Sequence, residues 1–205
     1  MKRHIITISR EFGSGGRELA RRLAEGLGIA YCDREIVAAV AKKSGLAVDY
    51  IESVSERSVG AYYPITFGHT LAFQPAMLDP QLEVLSQQRQ ILLSLAERGD
   101  CVIVGRCADV ILRDYQPLNI FVYADKQSKL ARCRARAPQD EHLSDSELAR
   151  HIARIDKERT RYRATITEAK WGDKSAYHLC VNTTGWEIPQ LAQALLPYAK
   201  AFLER

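Results

Sequence analysis

A short β-branched run leading into a cluster of glycines limits this chain more than any other feature. Ile5-Ile6-Thr7-Ile8 reads as a buried strand, and Gly13-Ser14-Gly15-Gly16 follows it closely. Leu19, Leu23 and Leu27 then recur every four residues, a helix that Gly26 and Gly28 stop. Glycines between a strand and a helix let the backbone curl, so that several N–H groups face one anion and the helix dipole adds to them. A phosphate is the natural guest of the stretch Gly13, Ser14, Gly15, Gly16, Arg17 and Glu18. The alternative is a glycine turn that only packs helix on strand.

The rest of the chain alternates in the same way. Ile29 to Cys32 reads as a second strand, and Asp33 as the N-cap of a helix to about Lys43. A short helix is expected over Val48 to Glu56. From Val59 to Pro80 the pattern breaks, with Gly60, Pro64, Gly68, Pro75 and Pro80 punctuating Tyr62, Tyr63, Phe67 and Phe73. Such a loop is either functional, near a ligand, or a surface excursion packed by its own aromatics. Leu82 to Arg98 is an amphipathic helix with Val84, Gln88, Ile91 and Leu95 in line. Strands at Cys101–Val104, Asn119–Tyr123 and His178–Val181 are separated by helices beginning at Asp125 and Ser144, and a closing helix covers Ile188 to Leu203. Strands separated by helices imply an α/β fold with a parallel sheet covered on both faces.

A length of 205 residues suits one domain with an insertion. The formal charge of +4 is too mild to demand nucleic acid and suits a phosphorylated small molecule equally well. Aromatics and the basic helix lie in different segments, so nucleic acid ranks last among partners. No apolar run approaches the ~18–20 residues of a membrane span. The 5 cysteines are widely spaced with no C-x-x-C, which reads as reduced thiols in a cytoplasmic protein. His142 and His151 show no metal spacing with Cys133, and His69 stands alone in the irregular loop. A homo-oligomer stays open.

The standard phosphate loop is G-x-x-x-x-G-K-[ST], and this chain departs from it. The preferred register puts Gly13-Ser14-Gly15 on the loop and Gly16 where the lysine belongs, because Leu19, Leu23 and Leu27 then fall on the buried helix face. Arg17 is one position late; with Arg17 itself counted as the lysine and Glu11 at the first glycine, Glu18 stands in place of the hydroxyl residue that holds magnesium, a weak metal candidate. Arg17, Arg10 and the long-helix arginines are the candidate substitutes for the lysine, with Arg17 nearest.

Arg106 follows a strand expected at the sheet centre, where ligands of open parallel sheets gather. It suits a phosphate gripped bidentately, or a salt bridge to Asp109. In the long helix Leu148, Ile152, Ile155, Arg159, Tyr162 and Ile166 form one inner stripe, and Arg159 needs a partner there, Asp156 or an anion. Arg150, Arg154, Lys157 and Arg161 form a separate basic line, a solvated face or a set of cations closing over a transferred phosphoryl group. Asp33 is a helix cap, part of an acceptor site, or both.

Several motifs together resemble the cytidylate-kinase-like family of P-loop nucleoside monophosphate kinases. They are residues 9–18, Tyr31-Cys32-Asp33-Arg34-Glu35, Val102 to Asp109, Ile155-Asp156-Lys157-Glu158-Arg159, and Trp171-Gly172-Asp173 through Tyr177 to Asn182-Thr183-Thr184-Gly185. The resemblance implies a three-layer α/β/α fold on a five-stranded parallel sheet. It also implies a monophosphate-binding region near residues 45–80 and a lid near residues 140–177. It implies ATP and Mg2+ as cofactors and phosphoryl transfer to a nucleoside monophosphate, with CMP or dCMP as first acceptor. Asp33, Arg34, Arg106 and Asp109 would then hold the acceptor, while Arg17, Arg154, Arg159 and Arg161 would be the catalytic cations. Cys107 stands where cytidylate kinases proper have an aspartate, and Val40 where they have an arginine. The other readings are a P-loop kinase of another small molecule and a nucleotide-binding sensor without turnover.

Overall fold

The structure, a computed structural model, describes residues 3–33, 42, 80–137 and 143–205. Five strands are present: β1 (Ile5–Arg10), β2 (Ala30–Cys32), β3 (Cys101–Val104), β4 (Leu118–Tyr123) and β5 (Leu179–Asn182). Among the described residues the helices are α1 (Gly16–Leu27), α2 (Pro80–Arg98), α3 (Ala108–Ile111), α4 (Lys126–Arg136), α5 (Asp145–Ala164) and α6 (Ile188–Glu204). The helices expected over 33–43 and 48–56, and the loop Val59–Pro80 up to the first residue of α2, lie outside the described residues.

The sheet order is β2-β3-β1-β4-β5, and every pairing is parallel. Burial on both faces explains the β-branched run Ile5-Ile6-Thr7-Ile8 that opens β1: all 6 residues of the strand are buried, including Ser9 and Arg10 at its end. Ile6 and Ile8 pack with Leu19 and Leu23 of α1 and Leu191 of α6. Ile5 and Ile103 pack on the other face with Val84, Leu92 and Ala96 of α2 and with Leu112. Each buried leucine contributes ~1.5–3 kcal/mol relative to exposure, which fixes α1 on the sheet and so aims its N-terminus at the β1 loop.

The buried line of α2 differs from the expected one. It runs Val84, Gln88, Leu92, Ala96, while Ile91 and Leu95 sit at its flank. An alanine at position 96 packs closer to the sheet than a leucine does, so the helix turns that edge inward. In α5, Ser144 forms a capping box with Glu147, and Leu148, Ile152 and Tyr162 are buried as the inner stripe requires. Phe121 packs edge-on against Trp171, with centroids 5.2 Å apart, and beside Tyr177 at 5.1 Å, closing the base of that segment.

Candidate active site

The glycine-rich segment forms a tight loop between β1 and α1. Gly13 and Gly15 have φ of +76° and +81°, a backbone that side chains with a Cβ rarely adopt. Gly15 is the N-cap of α1 and supplies no side-chain acceptor, so the first-turn N–H groups have no side-chain cap. An anion there would satisfy them and meet the positive end of the helix dipole. Ser14 turns inward: its Oγ donates to the Glu11 carbonyl at 2.8 Å, and its own carbonyl accepts from Thr183 Oγ1 at 2.7 Å. Ser14 therefore shapes the loop with its side chain and leaves anion binding to the backbone.

The loop is braced by two helices. The Phe12 N–H donates to Asp156 Oδ1 at 2.7 Å, and Lys129 Nζ reaches Glu11 Oε2 at 3.0 Å and Asp156 Oδ2 at 3.4 Å. Burial raises the Asp156 pKa against the pull of the Phe12 amide, Lys129 and Arg159. Burial alone would lower that of Lys129, but Glu11 and Asp156 hold it above the usual value. The lysine therefore stays charged and clamps both acids. Over this frame lies a cleft of about 410 Å³, lined by Gly13, Gly15, Gly16, Arg17, Arg132 and Arg159 among others.

Two of the expected residues at the helix start are occupied otherwise. Arg17 lines the cleft, but its Nε lies 2.5 Å from Asp33 Oδ2. Tyr31 donates to the same oxygen at 3.2 Å. Burial first, then Asp33, pushes the Tyr31 hydroxyl up to about 12. Asp33 is thus an anchor for Arg17 and Tyr31 at the end of β2. Glu18 carries the guanidiniums of Arg22 and Arg136 on its carboxylate. One sits on each carboxylate oxygen, so Glu18 serves as an ion-pair partner in this structure. Among the described residues no cluster of three or more His, Cys, Asp or Glu side chains is placed to hold a metal ion.

At the end of β3 three successive residues take the left-handed conformation: Gly105 (φ +73°), Arg106 (φ +59°) and Cys107 (φ +49°). For Arg106 and Cys107 this costs ~1–2 kcal/mol each. Such strain is held only where surroundings over-determine it, commonly at functional sites. The surroundings are evident: Gln88 Nε2 donates to Tyr162 Oη at 2.5 Å and to the Arg106 carbonyl at 3.4 Å. Arg106 is buried and lines a cavity of about 20 Å³, room for one water, with Arg10, Arg159, Arg163 and Tyr162. Burial first, then Asp109, pushes the Cys107 thiol up to about 12.

Asp109 does not pair with Arg106. Its Oδ2 accepts from Arg163 Nη1 at 2.7 Å, both side chains almost fully buried, and Arg163 Nε donates to the Ala169 carbonyl at 2.9 Å. Of the long-helix arginines, Arg159 alone among the expected set lines the cleft. Its Nη1 donates to the Arg10 carbonyl at 3.1 Å and lies 3.7 Å from Asp156. Arg154 is half exposed and paired with Glu158 at 3.0 Å, and Arg161 is exposed, so both belong to the solvated face. Arg34 lies outside the described residues.

Sequence reasoning passed over Arg132, Lys129 and Arg163, and kept Arg10 only as a substitute. Arg132 ties the turn after β5 to the loop, donating to Thr183 Oγ1 at 3.1 Å and to the Thr183 carbonyl at 2.5 Å. It also borders a second cleft of about 490 Å³ with Arg136, Trp186 and Ile188. The signal that could have found it is the spacing of Lys129, Arg132 and Arg136, one face of a helix opening beside the loop.

Known proteins place this geometry. A protein of Eubacterium ventriosum ATCC 27560 described as uncharacterized has 25% identity and a TM-score of 0.70, covering 97% of this chain and 99% of its own. Shikimate kinase from Bacteroides thetaiotaomicron superposes at TM-score 0.57 with 14% identity, over 96% and 98% of the two chains. A gluconokinase from Sinorhizobium meliloti 1021 does so at 0.52 with 15% identity, over 99% and 95%. These last two share the P-loop kinase fold. None of the curated proteins compared matches the chain. The model of the cytidylate kinase-like family matches residues 5–185, which is nearly the whole of the sheet and every loop just described, and the chain belongs to that family.

Proposed function

We propose that this protein transfers the γ-phosphoryl group of ATP to a nucleoside monophosphate, with CMP or dCMP as the first acceptor to test. The observation that carries the reading is the adjacency of two cavities. The cleft over Gly13 to Arg17 suits an anionic donor, the water-sized cavity beside it is lined by Arg106, the side chain this reading gives to the acceptor phosphate, and Arg10 and Arg159 border both. Phosphoryl transfer asks mainly for positioning and positive charge, which this arrangement offers. The second cleft, between Arg132, Arg136 and the half-exposed Trp186, fits the base of the donor, which would stack on the indole. Magnesium would arrive as the counter-ion of the triphosphate. In this reading residues 45–80 supply the acceptor-binding region and residues 140–177 the lid.

The test is ADP formation from MgATP against a panel of monophosphates, with small polyols and hydroxy acids included. Turnover with CMP or dCMP above the other acceptors supports the reading; turnover only with a non-nucleotide acceptor replaces it. Arg106→Ala should raise KM for the acceptor far more than for ATP, since a truncated desolvated charge contact costs ~2–5 kcal/mol. Loss of ATP affinity alone would reverse the donor and acceptor sides.

A further inference from the structure

Arg10 and Gly16 have exchanged the two ends of the phosphate-loop motif. Counting G-x-x-x-x-G-K back from Gly15 as the second glycine puts residue 10 at the first glycine and residue 16 at the lysine. This chain has arginine at the glycine position and glycine at the lysine position. The two choices are coupled in space. A Cβ on Gly16 would lie 2.6 Å from Arg10 Cβ and 3.3 Å from its Cγ. Gly13 and Gly15 need their left-handed backbone, but Gly16 has no positive φ and opens a right-handed helix. Its glycine is therefore explained by the neighbouring side chains, Arg10 first and then Val122 with its Cβ at 3.1 Å, and not by conformation.

Arg10 then continues across the site. A Cβ on Gly105, whose φ of +73° already calls for glycine, would fall on its Nη1, with Cζ at 3.0 Å, which places the guanidinium at the end of β3. Arg10 is buried, and Arg159 Nη1 holds its carbonyl at 3.1 Å. The stem passes over the loop where a lysine would start, and the charge ends beside Arg106, at the border of the donor cleft and the acceptor cavity. We propose that Arg10 is the cation that replaces the phosphate-loop lysine, acting on the transferring phosphoryl group from the strand side of the loop, and that Gly16 is glycine to admit it. This rests on the phosphoryl-transfer reading above.

The experiment compares wild type with Arg10→Lys, Arg10→Met, Gly16→Lys and the double variant Arg10→Gly/Gly16→Lys. MgATP affinity is measured by calorimetry, turnover with the best acceptor of the panel, and folding by thermal melting. Arg10→Met keeps the packing length and removes the charge. It should lower kcat about 100-fold or more, as loss of one preorganised donor typically does, and weaken MgATP about tenfold. Arg10→Lys should keep kcat within about tenfold of wild type, which a packing role alone would not distinguish from methionine. Gly16→Lys alone should melt lower and lose activity, because its stem collides with Arg10. The double variant, with the motif restored, should recover both the affinity and the turnover that Arg10→Met loses. Equal effects of lysine and methionine at position 10, or a folded double variant with no recovery, overturn the exchange. A wild type that binds MgATP but phosphorylates nothing sinks the kinase reading instead, and the exchange is then judged on affinity across the same variants. A wild type that binds no nucleotide removes both.

Discussion

Arg163→Met tests the buried ion pair that anchors the α5 segment to the end of β3. In the native fold Arg163 and Asp109 have side-chain exposures of 2% and 3%, so neither charge reaches water. Removing the guanidinium leaves the Asp109 carboxylate buried, and Asp109 Oδ1 already lacks a hydrogen-bond partner among the described residues. It also strips the Ala169 carbonyl of its 2.9 Å donor. Breaking a buried pair from one side costs ~3–5 kcal/mol. At ~2–4 °C per kcal/mol for a domain of this size, Tm should fall by about 6–20 °C. The double variant Arg163→Met/Asp109→Leu removes the stranded charge and should recover most of that loss, since a buried pair exchanged for apolar residues is often neutral. Thermal melts of wild type, Arg163→Met, Asp109→Leu and the double variant give the coupling energy directly. An Arg163→Met protein melting within about 2 °C of wild type would refute the reasoning, because 1 kcal/mol or less is the worth of an exposed pair.

Gly15→Ala should weaken MgATP binding and lower Tm together, since its Cβ would lie 2.5 Å from Ile188 Cδ1 at a φ of +81°. Ile188→Val in the same protein removes the colliding Cδ1 at a cost of only ~0.5–1.5 kcal/mol and should restore part of the Tm but not the affinity, read by melting and calorimetry. Cys133 borders the cleft over Gly13 to Arg17, its Sγ 3.0 Å from where a Gly13 Cβ would sit. Iodoacetamide labelling of Cys133, followed by peptide mass spectrometry, should therefore slow when MgATP is bound, while the buried Cys101 and Cys107 stay unlabelled throughout. Glu18→Gln should leave the Mg2+ dependence of turnover unchanged, because its carboxylate serves Arg22 and Arg136; a large rise in the Mg2+ requirement would return it to the metal. Tyr177 is pushed up to about 12, by burial first and then by Asp109. A folded pKa above the unfolded value gives stability that is full below about pH 10 and lost as pH rises toward 12. Tyr177→Phe should flatten that alkaline loss in pH-dependent melts.

The elements that build the site were legible because each is encoded locally. The apolar run at 5–8, the glycines after it and the leucines at 19, 23 and 27 set strand, loop and helix within one contiguous stretch. Burial of one helix face against a central strand leaves little freedom in how they meet. The α5 stripe was legible for the same reason. The partners of the charged residues were not. Arg163 and Asp109 are 54 positions apart, and Ser14 and Thr183 169 apart, so nothing in either neighbourhood announces the other. A salt bridge from Arg106 to Asp109 was the alternative to a phosphate because the two are close in sequence, but the backbone is left-handed from Gly105 to Cys107 and Asp109 pairs with Arg163 of α5 instead. Arg17 looked like the substitute cation because it stands next to the vacant lysine position. On the helix that single step turns a side chain ~100° around the axis, toward Asp33. Arg10 stands six positions from Gly16 in sequence but in contact with it across the loop. A charged residue closing a fully buried strand was the available signal: such a residue must be paired or must meet an anion, and a Cβ at position 16 would collide with its stem.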